Sequence, residues 1–197
     1  MNHPQIPLQY PTRDHLSKAR LLDLQKQIRT IPKPVIASVA GYAVGGGHVL
    51  HMICDLTIAA ENAKFGQTGP NVGSFDGGWG ASYMARIIGQ KRAREMWMTC
   101  KRYSAKEMMN WGLVNSVVKK EKLDEEVKKY GDEILKAAPT CLKILKASFR
   151  KQFDEILKIT QKSMVDEVAP GYFKTGEQSE GAKAFLEKRK PNFKKFR

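Results

Sequence analysis

Cysteine is scarce in this chain, and its three copies, Cys54, Cys100 and Cys141, lie far apart. That spacing builds neither a disulfide framework nor a metal knuckle; it suits a reducing compartment, and a cytoplasmic protein is expected. Histidine is equally thin. His48 and His51 stand three apart, but neither His3 nor His15 nor any cysteine follows at a ligand spacing, so no metal site is expected. No apolar run approaches the ~20 residues of a membrane span. Met1 is followed by Asn, His, Pro and Gln, which is no signal-peptide core. Acidic residues are the minority charge: 20 Asp and Glu against 34 Lys and Arg leave a net charge of +14. Such a surplus suits nucleic acid, an anionic surface or a phosphorylated ligand. Here it is scattered, and thickest in Lys188, Arg189, Lys190, Lys194, Lys195 and Arg197. No recognition helix or aromatic-studded basic strand accompanies it, so a nucleic-acid partner is not expected.

What is present is one domain's worth of alternating elements. Apolar spacing predicts a helix over 18–30, ended by Pro32 and Pro34. The β-branched run 34–40 reads as a buried strand and 41–47 as a glycine loop. A short apolar helix follows over 48–53, then strands over 55–59 and 64–66. Helices are read over 79–88 and 91–99. Ser104 and Glu107 form a capping-box pattern that opens a short helix. A strand is read over 113–118 and helices over 123–135, 140–152 with further pattern to 168, and 177–188. This order predicts an α/β core over residues 1–130 and a helical region over 131–197.

The stretch from Ala40 to Asp76 carries the chemistry. Gly45, Gly46 and Gly47 leave the backbone bare before a helix, where free N–H groups and the helix dipole favour negative charge. That is the recipe for an oxyanion hole. Gln67, Thr68 and Gly69 then offer an amide, a hydroxyl and bare backbone together. Asp76 is a lone carboxylate among glycines, two residues after Ser74. It is either a turn-former or a poised base. The arrangement suits proton transfer beside a carbonyl.

The string from KPVIASVAGYAVGGGHVLHMICDLTIAA through GQTGPNVGSFDGG to KRAREMW resembles the crotonase (enoyl-CoA hydratase/isomerase) superfamily and, within it, the naphthoate synthases of menaquinone biosynthesis. The resemblance reaches the closing EKRKPNFKKF. It implies a crotonase-like α/β fold, a spiral of ββα units followed by helices, here truncated at the N-terminus. It also implies an acyl-CoA substrate, coenzyme A entering only as part of it, and no metal. The implied reaction is Dieckmann-type ring closure of o-succinylbenzoyl-CoA.

Residue by residue, the two glutamates of hydratases are replaced by Val49 and Gly69. The resemblance makes Asp76 the proton-handling acid, Ser74 a contact to the naphthoyl part and Gly46 an oxyanion donor. It implies bicarbonate held by Gln67, Thr68, Gly69 and Trp97. A C-terminal catalytic tyrosine falls near Tyr172, for which Phe173 competes. Phe185 and Lys188 match residues that touch the coenzyme A of a neighbouring subunit, within a homotrimer or homohexamer. Tyr10 matches an active-site loop tyrosine by its distance from Asp23.

Two departures stand out. The family's arginine before the last helical aromatic corresponds to Ala182. Its opening segment, with an S-G-G-D loop that supplies the second oxyanion donor, has no counterpart here, and a lost donor costs ~2.7–4 kcal/mol of barrier. CKRYSAKE and EKRKPNF resemble equally the 2-oxocyclohexanecarbonyl-CoA hydrolases, which cleave a ring β-keto thioester. A non-catalytic acyl-CoA-binding protein is the remaining alternative.

Overall fold

The structure, a computed structural model, describes residues 13–75, 80–169 and 171–196. Helix α1 (Arg13–Thr30) leads into β1 (Ile36–Val39), β2 (Tyr42–Val44), α2 (Gly46–Ile53), β3 (Leu56–Ala60) and β4 (Lys64–Gly66). A one-turn 3-10 helix at Pro70–Val72 precedes α3 (Gly80–Ile88) and α4 (Gln90–Thr99). Then come β5 (Arg102–Ser104), α5 (Ala105–Asn110), β6 (Ser116–Val118), α6 (Leu123–Leu135), α7 (Pro139–Val168), α8 (Tyr172–Thr175) and α9 (Glu177–Leu186).

Among the described residues the strands form two small sheets. One has the order β1-β3-β6, all parallel, with Ile36 opposite Leu56 and Ile58 opposite Ser116. The other has the order β2-β4-β5; β2 runs parallel to β4, and Phe65 of β4 lies opposite Tyr103 of antiparallel β5. Parallel neighbours need a crossover, and α2 supplies it between the sheets. Its apolar side packs into the main core with Phe65, Met84, Met96 and Met108, all fully buried. The unbranched methionines suit the irregular gaps between short elements. A smaller core joins Ile58 and Ala60 to Leu123 of α6.

Several elements differ from expectation. The glycine loop contains β2, because Tyr42–Val44 finds Lys64–Gly66 as a partner, a pairing that local composition does not signal. Strand β5 was not foreseen for the same reason. The helix of 140–152 and the pattern beyond it are one continuous α7, with Pro139 at its first position, where the missing N–H is harmless. Helix α1 starts earlier than 18, and α8 is an addition. The expected division between residues 130 and 131 falls inside α6. The capping box forms as read: Ser104 Oγ accepts the Glu107 N–H at 3.3 Å, and Glu107 Oε2 accepts the Ser104 N–H at 2.7 Å.

Candidate active site

Helix α2 begins with neither a side-chain cap nor an acidic residue in its first turn. Gly45 precedes it at φ 58° and ψ −121°, a backbone state open to glycine. The Gly45 N–H donates to Gly66 O at 3.0 Å, and its carbonyl accepts the Val49 N–H at 3.1 Å. The earlier N–H groups have no partner within the helix. Gly46 and Gly47 are exposed, and a Cβ on Gly47 would meet nothing within 4 Å. A Cβ on Gly46 would lie 3.3 Å from Leu21 Cδ2 of α1, so the open side of the turn is at Gly47. A Cβ on Gly45 would lie 3.1 Å from Thr68 Oγ1, which sets this turn directly beside the second loop.

Behind the turn, α2 is tied to β3 by a chain of polar groups that sequence reasoning treated only as a failed metal motif. Thr57 Oγ1 donates to His51 O at 3.2 Å. With its one proton used, it accepts from His51 Nδ1 at 3.2 Å. His51 Nε2 is then the lone pair that accepts from His48 Nδ1 at 3.0 Å. His48 Nε2 ends the chain as a buried acceptor without a partner. Burial lowers the His48 pKa to about 3. His51 is lowered too, by burial first and by His48 second. Both rings stand edge-on to Phe65.

The loop after β4 closes on itself. Gly69 O accepts the N–H groups of Val72 and Ser74 at 3.0 and 2.8 Å, and Gly73 takes the left-handed conformation at φ 59°. A Cβ at Gly69 would lie 3.0 Å from Ser74 O, so a side chain there would crowd the turn. Gln67 is buried with Nε2 unpartnered, and Trp97, packed on the main core, has a buried, unpartnered Nε1. These are two of the four residues expected to hold an anion, and both carry an idle donor.

Helices α8 and α9 are seated on this loop. The Tyr172 hydroxyl donates to Gly73 O, and its ring meets Phe75 edge-on at 5.2 Å. Burial raises the Tyr172 pKa, with Glu177 adding to the effect. A Cβ on Gly73 would run into the Glu177 carbonyl, and one on Gly181 into the Val72 carbonyl. The outer side of α9 is held by Glu180, which receives Arg189 Nη1 at 2.7 Å, Arg189 Nη2 at 3.2 Å and the Asn192 N–H at 2.7 Å. Those bonds, Arg189 first, hold the Glu180 carboxyl down to about 2.

Between loop and helix lies a cavity of about 350 Å³ lined by Thr68, Val72, Ser74, Gln178, Ala182 and Phe185. It brings together Thr68, Ser74 and Phe185 of the expected site. Phe185, expected against a neighbouring subunit's coenzyme A, here lines a cavity of its own chain. Lys188 is exposed at the end of α9 with φ 53°, its N–H on Phe185 O at 3.2 Å. Asp76 and Tyr10 lie outside the described residues, as does the side chain of Phe173. Gln178 was missed; its spacing of four and seven from Ala182 and Phe185 was the available signal.

The sequence profile of the enoyl-CoA hydratase/isomerase family matches residues 7–196. An enoyl-CoA hydratase from Mycobacterium avium subsp. paratuberculosis K-10 is 30% identical with a TM-score of 0.79, over 89% of this chain and 71% of that one. A methylmalonyl-CoA decarboxylase in complex with 2-nitronate-propionyl-CoA is 29% identical with a TM-score of 0.77, over 92% and 70%. An enoyl-CoA hydratase subunit from Geobacillus kaustophilus HTA426 is 32% identical with a TM-score of 0.66, over 94% and 72%. With the family profile spanning nearly the whole chain and the fold shared with these enzymes, the chain belongs to the crotonase superfamily, the enoyl-CoA hydratase/isomerase family.

Proposed function

We propose that this chain stabilises an enolate of a coenzyme A thioester and uses it to close a ring, as naphthoate synthases do with o-succinylbenzoyl-CoA. The observation that carries the reading is an uncapped glycine turn set beside a cavity with no acid at the two hydratase positions. Val49 is buried in the core, and Gly69 has the Ser74 carbonyl where a side chain would begin. Hydration needs an acid and a base on the two sides of a double bond; neither position supplies one.

In this reading a proton leaves the carbon beside the thioester and the electron pair moves onto the thioester oxygen. The Gly46 N–H holds that oxygen. The enolate carbon attacks the aryl carboxyl carbon, a carbon–carbon bond forms, and the carboxyl oxygen leaves as water with protons passed through Asp76. Ser74 and Tyr172 hold the loop and the acyl group in register. Gln67 Nε2 and Trp97 Nε1 are buried donors without acceptors; with Thr68 and Gly69 they would hold bicarbonate, which supplies the base when bound. Assembly as a homotrimer or homohexamer belongs to the same proposal. Ile144, Leu145 and Phe149 stand exposed on α7, apolar surface of the kind such an interface covers.

A second reading runs the chemistry backwards, as ring-opening hydrolysis of 2-oxocyclohexanecarbonyl-CoA. It is favoured by CKRYSAKE and EKRKPNF, which resemble that branch as much as the synthases. Asp76→Asn is expected to lower turnover of o-succinylbenzoyl-CoA by about 100-fold or more, followed as naphthoyl product. Unchanged turnover overturns the proposal. A dicarboxylic monothioester formed from 2-oxocyclohexanecarbonyl-CoA, with no naphthoyl product from the other substrate, transfers it to the second reading.

A further inference from the structure

Helix α2 has eight residues, no side-chain cap and no acidic residue in its first turn. A helix that short is marginal by itself, so contacts elsewhere hold it. Its apolar side packs on the core through Val49, Met52 and Ile53. Apolar packing is not directional. It keeps the helix on the core without setting how the helix is turned about its axis or slid along it. A donor aimed at one oxygen needs both to be set, to within about 0.5 Å and 10–20°.

The directional contacts come from two sides. In front of the helix, the Gly45 N–H on Gly66 O at 3.0 Å ties the turn to β4. Behind it, a tie of side chains runs from the sheet to the first turn. Thr57 of β3 is itself clamped: its N–H donates to Asn115 Oδ1 at 2.8 Å, and its carbonyl accepts the Asn115 N–H at 2.8 Å. Asn115 immediately precedes β6. From that fixed point Thr57 Oγ1 donates to the His51 carbonyl and accepts from His51 Nδ1, and His51 Nε2 accepts from His48 Nδ1. His48 stands two residues after Gly46, in the turn whose N–H groups lack helix partners. Both rings are buried, and burial holds both neutral, so each carries one N–H and the donors follow one order. The two imidazoles and Thr57 thus make a strut of fixed length between sheet and turn.

We propose that Thr57, His51 and His48 are positioning residues, which set the rotation and depth of α2 so that the first-turn N–H groups, Gly46 among them, meet the thioester oxygen as it becomes an enolate. The inference rests on the enolate reading of the glycine turn. None of the three lines the cavity beneath α9. Cutting the strut therefore leaves ground-state binding in place and removes support from the enolate alone, the pattern of an interaction that matters in the transition state.

The probe is 3-benzoylpropionyl-CoA, which carries the thioester arm of o-succinylbenzoyl-CoA but no carboxyl for the enolate carbon to attack. It is added to the full chain in bicarbonate buffer made with heavy water. Proton NMR follows exchange at the methylene beside the thioester, infrared spectra with a carbon-13 label read the thioester carbonyl, and calorimetry reads affinity. In the parent the methylene is expected to exchange, and the carbonyl band to lie below its position in water. Thr57→Val keeps the side chain's shape and removes its hydroxyl. It should slow exchange by about 10–100-fold and return the band toward its position in water, with affinity unchanged to within about twofold. Thr57→Ser, which keeps the hydroxyl, should restore both. His48→Leu and His48→Asn form a second pair, the asparagine placing an amide N–H where Nδ1 donates, so a folding defect at one position leaves the other decisive. Valine and leucine variants that lose stability yet exchange and polarise the carbonyl like the parent overturn the positioning role, and the enolate reading stands. A folded parent that binds the probe with neither exchange nor a lowered band, or that does not bind it, overturns both.

Discussion

Lys146 Nζ lies 2.8 Å from Asp55 Oδ2 although 91 residues separate them, and the same ammonium donates to Lys33 O at 2.7 Å. Asp55 Oδ2 also accepts the Val35 N–H at 2.7 Å. One pair thus pins the N-terminal third of α7 to the entry of β1 and the start of β3. Lys146 is only 7% exposed. Asp55 is 22% exposed and would keep the Val35 N–H, so Lys146→Met should cost about 1–3 kcal/mol, the penalty for a lost hydrogen-bond partner. Urea unfolding measures it, and a double-mutant cycle with Asp55→Asn separates the pair from the packing of the lysine stem. A cost below about 0.5 kcal/mol would show that α7 is held by other contacts.

The histidine chain gives a signed pH dependence. Burial depresses the folded pKa of His48 from 6.5 to about 3. Between those values the unfolded chain binds the proton and the folded chain does not. Stability from this group is thus complete above pH 6.5 and falls as the pH drops toward 3, by about 1.4 kcal/mol per pH unit at most. The lowered carboxyls of Glu107 and Glu180 push in the same direction, so the slope alone does not identify its source. His48→Asn should flatten the slope of urea midpoints between pH 6.5 and 4.5 relative to the parent. Nitrogen-15 NMR should show Nδ1–H tautomers on both rings; an Nε2–H on His51 would break the deduced chain.

Trp97→Phe removes a buried donor that has no acceptor. Without added anion the variant should melt at the parent's temperature or slightly above it, because an idle buried donor costs about 1–3 kcal/mol. With bicarbonate at about 100 times its dissociation constant, the parent should gain about 2.7 kcal/mol and the variant much less. Thermal shift with bicarbonate, and with chloride as the control anion, reads this directly. Equal responses in parent and variant would remove Trp97 from the anion site.

Local chemistry was legible in the sequence and distant pairing was not. The capping box at Ser104 and Glu107 is a four-residue event, and it forms as read. Strand β2 was invisible because Tyr42–Val44 is extended only through its register with Lys64–Gly66. His48 and His51 looked like two ligands missing a third. Their actual partner, Thr57, lies beyond the helix end on β3. Thr68 and Ser74, read from the sequence as an anion ligand and an acyl contact, line one cavity, since the glycine-rich chain between them is too short to separate them. Gln178 was overlooked because its relevance depends on where α9 lands, which is set by two glycines 108 positions apart, Gly73 and Gly181.

Those two glycines also bear on how the site can change. With each glycine's Cβ position occupied by the other segment's carbonyl, the loop and α9 leave no room for a side chain at either place. A side chain added at position 73 or 181 needs a compensating shift across the contact. Transplanting the acyl preference of a relative into this scaffold would accordingly require exchanging 69–75 and 172–186 together, because either graft alone would meet the wrong backbone.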